Sequence, residues 1–177
     1  MKLLARLAMA VLLSVVARNA LAQRCSDIAN VDFRNSKVTV PHEGEYRFRD
    51  GVFDELEQPD GLVDGHFEIV SDTIVRPDPL TAIRLIQISG DHVRGTGTRN
   101  SVIGFRCSDG FVKDIFQQTD EGLAIQSVSS QGVQLRVPVW KKDDAHCCPS
   151  AEKDTWFAWD AHSCTYVDTR SKETSRH

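Results

Sequence analysis

The sequence has fewer basic than acidic residues and lacks a second long hydrophobic run after its first residues. It carries 21 Lys and Arg against 25 Asp and Glu, so it offers no positive surplus to a nucleic-acid backbone or an anionic lipid surface. Its longest apolar stretch, Leu7 to Ala17, is shorter than the roughly 20 residues that a transmembrane helix needs. The sequence therefore predicts no nucleic-acid partner and no integral membrane span.

The common local motifs of catalysis are also missing. There is no G-x-S-x-G nucleophile elbow, no H-E-x-x-H pair and no glycine-rich loop followed by Lys-Ser or Lys-Thr. This favours a non-catalytic protein. Because the residues of an active site can be scattered along a chain, an exported enzyme stays an alternative.

The first 22 residues have the pattern of an export signal. Lys2 and Arg6 precede the apolar run, and Ala20 and Ala22 supply the small residues that signal peptidase recognises. We therefore predict residues 1–22 as a signal peptide and a periplasmic or secreted location. Removing three basic residues and no acid leaves 18 basic against 25 acidic side chains, a net charge of −7.

The remaining chain predicts one mainly β, antiparallel domain over residues 23–168. Helical periodicity is confined to one candidate, a short helix over Cys25–Phe33 with Ser26 as its cap and Ile28 and Phe33 turned inward. Residues 169–177 are polar and predict a disordered tail. Short alternating or β-branched runs predict strands at Lys37–Val40, Glu45–Phe48, His66–Ser71, Ala82–Ile88, Ser101–Arg106, Phe111–Phe116, Leu123–Val128, Val133–Val139 and Thr155–Ala158.

Two turn sequences favour hairpins between these runs. They are Ser108-Asp109-Gly110 and Asp120-Glu121-Gly122, and each lies between two predicted strands. Pro138 cannot donate to a strand ladder, so its strand is expected to lie at an edge or to end there.

All five cysteines lie after the signal segment, where an oxidising compartment favours disulfides: Cys25, Cys107, Cys147, Cys148 and Cys164. Neighbouring Cα atoms are about 3.8 Å apart, below the usual disulfide range of about 4.4–6.8 Å. We therefore expect Cys147 and Cys148 to bond to separate partners, one to Cys164 and the other to Cys107 or Cys25. A strained bond between Cys147 and Cys148 is the alternative. Because five is an odd number, at least one cysteine is left without a partner in the chain.

Two regions could bind a metal. Asp60, Asp64 and Glu68 in the run DGLVDGHFE occupy positions of a calcium loop, although Leu62 replaces its central carboxylate. A turn rich in Asp and Gly is the simpler interpretation. The groups His146-Cys147-Cys148 and His162-Ser163-Cys164 have zinc-binding side chains without the usual spacing. No cofactor is expected, and calcium or zinc are the alternatives.

An aromatic cluster lies near the end of the chain. In Trp156-Phe157-Ala158-Trp159, strand alternation places Trp156 and Ala158 on one face and Phe157 and Trp159 on the other. One face should belong to the core, and the other is a candidate binding patch, represented by Trp156 or Trp159.

The sequence resembles a family of small exported bacterial proteins whose activity is not established. The likeness extends from about Val31 to Val167: DGHFEIV in place of a calcium-loop-like segment, then SVIGFRCSDGFVKDIF, then AHCCPS and TWFAWDAHSCTYV. The Cys147-Cys148-Pro149-Ser150 element is its specific part. The chain departs from the family in Leu62 and in the additional Cys25, Cys107 and Cys164, which suggest added disulfides. The resemblance implies export and a β fold.

Together these features predict an exported, disulfide-stabilised, non-catalytic binding or interaction protein of the bacterial envelope, with an envelope or secreted protein as its partner. A metal- or redox-responsive exported protein is the second hypothesis, and an exported enzyme is the third.

Overall fold

The described part of the protein is built from three antiparallel β-sheets. The computed structural model describes residues 23–40, 44–54, 65–92, 98–145 and 148–175. In these ranges the strands are β1 (Lys37–Val40), β2 (Gly44–Arg47), β3 (Val52–Asp54), β4 (Gly65–Asp78), β5 (Thr81–His92), β6 (Thr98–Ser108), β7 (Phe111–Glu121), β8 (Ala124–Ser129), β9 (Gly132–Val139), β10 (Ala151–Asp160) and β11 (Thr165–Ser175). The predicted mainly β, antiparallel fold is confirmed.

The sheets follow the order of the sequence. β1 and β2 form a hairpin, β3 to β7 form a five-stranded central sheet, and β8 to β11 form a four-stranded C-terminal sheet in the order β11-β10-β9-β8. Every one of these pairs is antiparallel and joins consecutive strands. The chain passes from the central sheet to the C-terminal sheet at Gly122 and Leu123.

Strand β5 shows why the central sheet is covered on both faces. Alternating side chains point to opposite sides of a strand, and here both sets are apolar. Ile86 and Ile88 belong to a first core shared with the β1–β2 hairpin and the N-terminal segment. Ile83 and Leu85 belong to a second core shared with the C-terminal sheet. All four side chains are at most 1% exposed, so the central sheet is the middle of three layers.

The N-terminal segment forms two 3-10 turns instead of the predicted short helix. They span Ile28–Asn30 and Phe33–Asn35. Asp27, rather than the predicted Ser26, caps the first turn by accepting a hydrogen bond from the Ala29 amide at 2.9 Å. Ile28 and Phe33 are buried as expected, each 1% exposed.

The two predicted hairpin turns behave differently. Asp109 and Gly110 both have positive φ, 56° and 80°, as a two-residue hairpin turn of the mirror-image type requires, and they join β6 to β7. Gly122 also has a positive φ, 66°, but the strands on either side of it belong to different sheets. The prediction of a hairpin at Asp120-Glu121-Gly122 was wrong because turn composition does not fix which strands pair.

Two strands lie where the sequence predicted none. β3 is only three residues long, and β11 continues to Ser175 through residues that were predicted to be disordered. β11 is paired along its length with β10, and its residues from Val167 to Ser175 are exposed. Main-chain pairing, rather than burial, therefore orders residues 169–175.

The predicted signal peptide, residues 1–22, lies outside the described residues. Within the described ranges, no helix has the length and apolar character needed to cross a membrane.

Pro138 of β9 lies beyond the end of β8, because the first residue of β8, Ala124, pairs with Arg136. On the side of β8, Pro138 therefore has no neighbouring strand to which an amide would donate.

Candidate functional site

The cysteines form a different arrangement from the predicted one. Cys25 and Cys107 are bonded to each other, with their Cα atoms 5.8 Å apart and a sequence separation of 82. Main-chain contacts bring them together, because the Cys25 amide donates to the Gly110 carbonyl at 2.9 Å and the Val112 amide donates to the Gln23 carbonyl at 2.8 Å. The expected bridges from Cys147 or Cys148 to Cys25 or Cys107 are therefore wrong.

Cys164 is a thiol rather than a bridge. It ends the turn between β10 and β11 with a positive φ of 54°, and its Sγ lies 3.4 Å from the Ala161 carbonyl oxygen. The turn is held by Asp160, whose carboxylate accepts from the His162 amide at 2.9 Å. Its predicted disulfide to the cysteine pair is not formed.

The loop that carries the cysteine pair is held by a carboxylate. One oxygen of Asp144 accepts from the Lys141 amide at 2.7 Å and from the Ser150 amide at 2.9 Å, which draws the two ends of the loop together. These amides lower the pKa of Asp144, with the Lys141 amide making the largest contribution. Cys148 is exposed on this loop, whereas His146 and Cys147 lie outside the described residues.

The predicted metal ligands are only partly described. Asp60 and Asp64 lie outside the described residues, and Glu68 is exposed on β4. Beside it, His66 Nδ1 and Asp54 Oδ1 are 2.7 Å apart across β3 and β4, and both side chains are more than half exposed. In the described part of the chain, no three His, Cys, Asp or Glu side chains gather as a metal site would require.

The structure separates the two candidate tryptophans as strand alternation predicts. Trp159 packs against the second core, with its ring centroid 5.6 Å from that of Tyr166. Trp156 lies on the opposite face of the C-terminal sheet, which we call the outer face. That face also carries Gln134 and Arg136 of β9 and Asp154 of β10, which alternate with core residues. Of the two, Trp156 is the residue available to a binding surface.

Charged groups on the outer face are paired with each other. Arg136 donates two hydrogen bonds to the Asp154 carboxylate, from Nε at 2.7 Å and from Nη2 at 3.0 Å, and its Nη1 lies 3.4 Å from Glu152. The hydrogen bond from Arg136 lowers the pKa of Asp154, and the same bond raises the pKa of Arg136. The guanidinium of Arg136 is therefore engaged by two carboxylates at the centre of the outer face.

Two grooves flank this ion pair. The first, of about 470 Å³, is bordered by Trp140, Pro138 and Pro149, with Arg136 and Glu152 in its lining. Trp140 is 39% exposed, and Pro149 follows Cys148 directly. This groove therefore joins the outer face to the cysteine-bearing loop.

The second groove, of about 340 Å³, lies at Trp156 and is called here the Trp156 groove. Trp156 is covered on one side by Arg170 of β11, whose Cζ lies 4.1 Å from the ring centroid. The other polar groups in the lining are amides and hydroxyls, from Ser127, Ser129, Gln131, Gln134 and Thr169.

Two β-bulges set the row of side chains in the Trp156 groove. In β11, Asp168 pairs with Phe157 but Arg170 pairs with Trp156, so Thr169 is an extra residue. In β8, Ile125 pairs with Leu135 but Ser127 pairs with Gln134, so Gln126 is an extra residue. Ser127, Gln134, Trp156 and Arg170 consequently form one cross-strand row on the outer face.

The sequence did not point to Gln134 or Arg170. Both lie in stretches of ordinary polar composition. Their positions beside Trp156 depend on the two bulges, which cannot be recognised from the amino-acid composition. Trp156 was the part of this site that alternation could identify.

No protein-family model, curated protein sequence or solved structure matches the chain.

Proposed function

We propose that this is an exported, disulfide-stabilised, non-catalytic binding protein of the bacterial envelope and that it binds through the outer face of its C-terminal sheet. The observation that carries the proposal is the row of Ser127, Gln134, Trp156 and Arg170, set by two bulges and bordered by an open groove. Bulges are over-represented at sheet edges, where β8 and β11 lie, and next to active sites, where they redirect a side chain.

Export is supported by the signal-like segment and by the Cys25–Cys107 bond, because disulfides persist in oxidising compartments. Binding without catalysis is supported by the chemistry of the outer face. Arg136 has its charge engaged by two carboxylates, and the Trp156 groove is lined by amides and hydroxyls, which are better suited to recognition than to proton transfer at neutral pH.

The test of location uses the full chain produced in a bacterium. We expect the periplasmic or secreted fraction to contain a protein that begins at Gln23. Recovery in the cytoplasm with an intact first segment would overturn the export part of the proposal.

The test of binding compares the mature chain with two single variants, Gln134→Ala and Lys113→Ala. Lys113 lies on β7 of the central sheet, not on the outer face, and pairs with Asp109 of the β6–β7 turn, so it serves as the matched surface control. We expect isolated envelope material to retain the wild type and Lys113→Ala, and to retain less Gln134→Ala. Equal retention of all three proteins, or turnover of a substrate by the wild type, would contradict a non-catalytic outer-face binder.

A redox-responsive exported protein is a second candidate because Cys164 is a thiol in a structure that also contains a disulfide. Thiol labelling of protein taken directly from the exporting cell tests it. Reversible oxidation of Cys164 that changes partner binding would support this candidate, and binding that is indifferent to Cys164→Ser would remove it.

A further inference from the structure

We propose that the Trp156 groove binds a neutral oligosaccharide, one sugar ring of which packs beside the indole of Trp156. This inference rests on the proposed binding function of the outer face and names the chemistry of its ligand. It is carried by three observations: the aromatic ring, the uncharged hydrogen-bonding groups around it, and the two bulges that place them in one row.

The aromatic ring supplies the apolar contact. A pyranose ring has a face of C–H groups, and the negatively polarised face of an indole attracts such positively polarised edges. Side chains stand roughly perpendicular to a sheet, so Trp156 stands between Gln134 on one side and Arg170 on the other in the cross-strand row. Arg170 covers the side toward β11, and the groove that adjoins the ring is lined by Gln134 and Ser127.

The surrounding groups match hydroxyls. An amide or a hydroxyl can both donate and accept a hydrogen bond, as each sugar hydroxyl also can. Gln134, Ser127, Ser129 and Gln131 are of this kind, and they share the lining of the groove with Trp156. A groove of about 340 Å³ falls within the usual range for small-molecule sites, about 300–1,000 Å³.

The charges favour a neutral ligand over an acidic one. Arg136 is already paired with Asp154 and Glu152, and the guanidinium of Arg170 is stacked on the indole. The predicted mature chain has a net charge of −7, from 18 basic and 25 acidic residues. A polyanion would therefore be repelled over long range and would meet few unengaged cations at the groove.

The site is held in shape before a ligand arrives. Thr169, the extra residue of the β11 bulge, donates from Oγ1 to the Trp156 carbonyl at 3.0 Å. Without that extra residue, Thr169 rather than Arg170 would stand opposite Trp156. Preorganisation of this kind lowers the entropy lost on binding.

The test titrates the mature wild-type chain with three neutral hexasaccharides, of β-1,4-linked glucose, α-1,4-linked glucose and β-1,4-linked N-acetylglucosamine. Binding is followed by tryptophan fluorescence and by calorimetry. We expect at least one to bind, and we expect Trp156→Ala and Gln134→Ala each to weaken it by about tenfold or more, as truncation of a central contact does. Trp159→Phe, on the inner face, should leave the affinity unchanged.

Several outcomes would overturn the inference. One is tighter binding of an acidic galacturonate hexasaccharide than of any neutral one. Another is equal loss of affinity in Trp159→Phe and Gln134→Ala. Should Trp156→Ala fail to fold, Trp156→Phe and Gln134→Ala carry the test. If no hexasaccharide binds while Gln134→Ala still loses retention on envelope material, this inference fails and the proposed function stands; if envelope retention is also unchanged, both fail.

Discussion

Arg84 and Asp72 form an ion pair through two parallel hydrogen bonds between β5 and β4. Nε and Nη2 of Arg84 each lie 2.6 Å from a different oxygen of Asp72, and the side chains are only 15% and 16% exposed. The hydrogen bond to Asp72 raises the pKa of Arg84. The remaining nitrogen, Nη1, donates to the carbonyls of Ala29 and Val31 at 3.0 and 2.7 Å, so this pair fastens the N-terminal segment to the central sheet.

Replacing Asp72 with alanine should destabilise the protein by about 3 kcal/mol, because a nearly buried guanidinium then loses its counter-charge. Urea unfolding of the variant and the wild type measures the difference. Lys113→Ala, which breaks an exposed pair with Asp109, is the matched control and should cost much less, because water and salt screen an exposed pair. Equal losses in the two variants would show that the Arg84 network contributes no more than a surface pair.

Reduction of the Cys25–Cys107 bond should also lower stability. The bond spans 82 residues, and the chain-entropy model gives about 4 to 5 kcal/mol for a loop of that size. We expect Cys25→Ser to unfold at a lower urea concentration than the oxidised wild type, and reductant to have little further effect on it. Cys164→Ser should match the wild type. A reductant effect that persists undiminished in Cys25→Ser would assign the stabilisation to another pair.

The loop held by Asp144 should lose its order in acid. Its hydrogen bonds lower the pKa of Asp144 in the folded protein, so the carboxylate stabilises the loop at pH values above the ordinary aspartate pKa of about 4. That contribution declines as the pH falls through the lowered folded value. Nuclear magnetic resonance can follow the Lys141 and Ser150 amides, which should move together during an acid titration.

Two variants of neighbouring residues check this assignment. Asp144→Asn should remove the acid transition of both amides, since an amide side chain does not titrate in this range. Asp143→Asn, in the same loop, should leave the transition in place. A transition that survives in Asp144→Asn would mean that another group controls the loop.

Tyr166 should ionise only at high pH, and its hydroxyl should contribute little to the free energy of unfolding. Burial raises the pKa of Tyr166 to about 12, and within the described residues its Oη has no hydrogen-bond partner. The unfolded chain ionises first, near pH 10, so stability should fall as the pH rises from about 10 to 12. The tyrosinate absorbance of Tyr46→Phe, which keeps Tyr166 as its one tyrosine, measures the pKa directly.

Tyr166→Phe completes this test. Removing a buried hydroxyl without a partner should leave stability at neutral pH within about 0.5 kcal/mol or raise it, and the loss above pH 10 should become smaller. A loss of more than about 1.5 kcal/mol at neutral pH would indicate that the hydroxyl is hydrogen-bonded in solution.

Apolar alternation accounts for how much of the fold the sequence predicts. Val133 and Leu135 lie on one side of β9 and reach the second core, and the pattern between Lys37 and Val128 identified seven further segments within the observed strands or at their ends. The same pattern did not predict β11. Residues 169–175 are polar on both faces of this strand, and they are ordered by pairing with β10. Burial can be inferred from composition, whereas main-chain pairing of exposed residues cannot.

The candidate site was predictable only in part for a related reason. Alternation assigned Trp156 and Trp159 to opposite faces, which is correct, but the residues beside Trp156 depend on register. One extra residue at Thr169 exchanges the neighbour of Trp156 for Arg170. The cysteine pairing had a similar dependence, since the contact between Cys25 and Gly110 joins distant parts of the chain. The spacing of the cysteines in the sequence predicts the lengths of the loops that bonds between them would close, but not which cysteines come into contact.

The meander order of the strands has a consequence for folding kinetics. Each pairing within the three sheets joins neighbours in sequence, so these sheets can grow from hairpins whose loop closures are short and fast. The slow events are then the docking of two preformed sheets through the second core and the arrival of the N-terminal segment against β6 and β7. The native contacts that place Cys25 beside Cys107 form when that segment docks, so we expect oxidation of the two thiols to follow the pairing of β6 with β7.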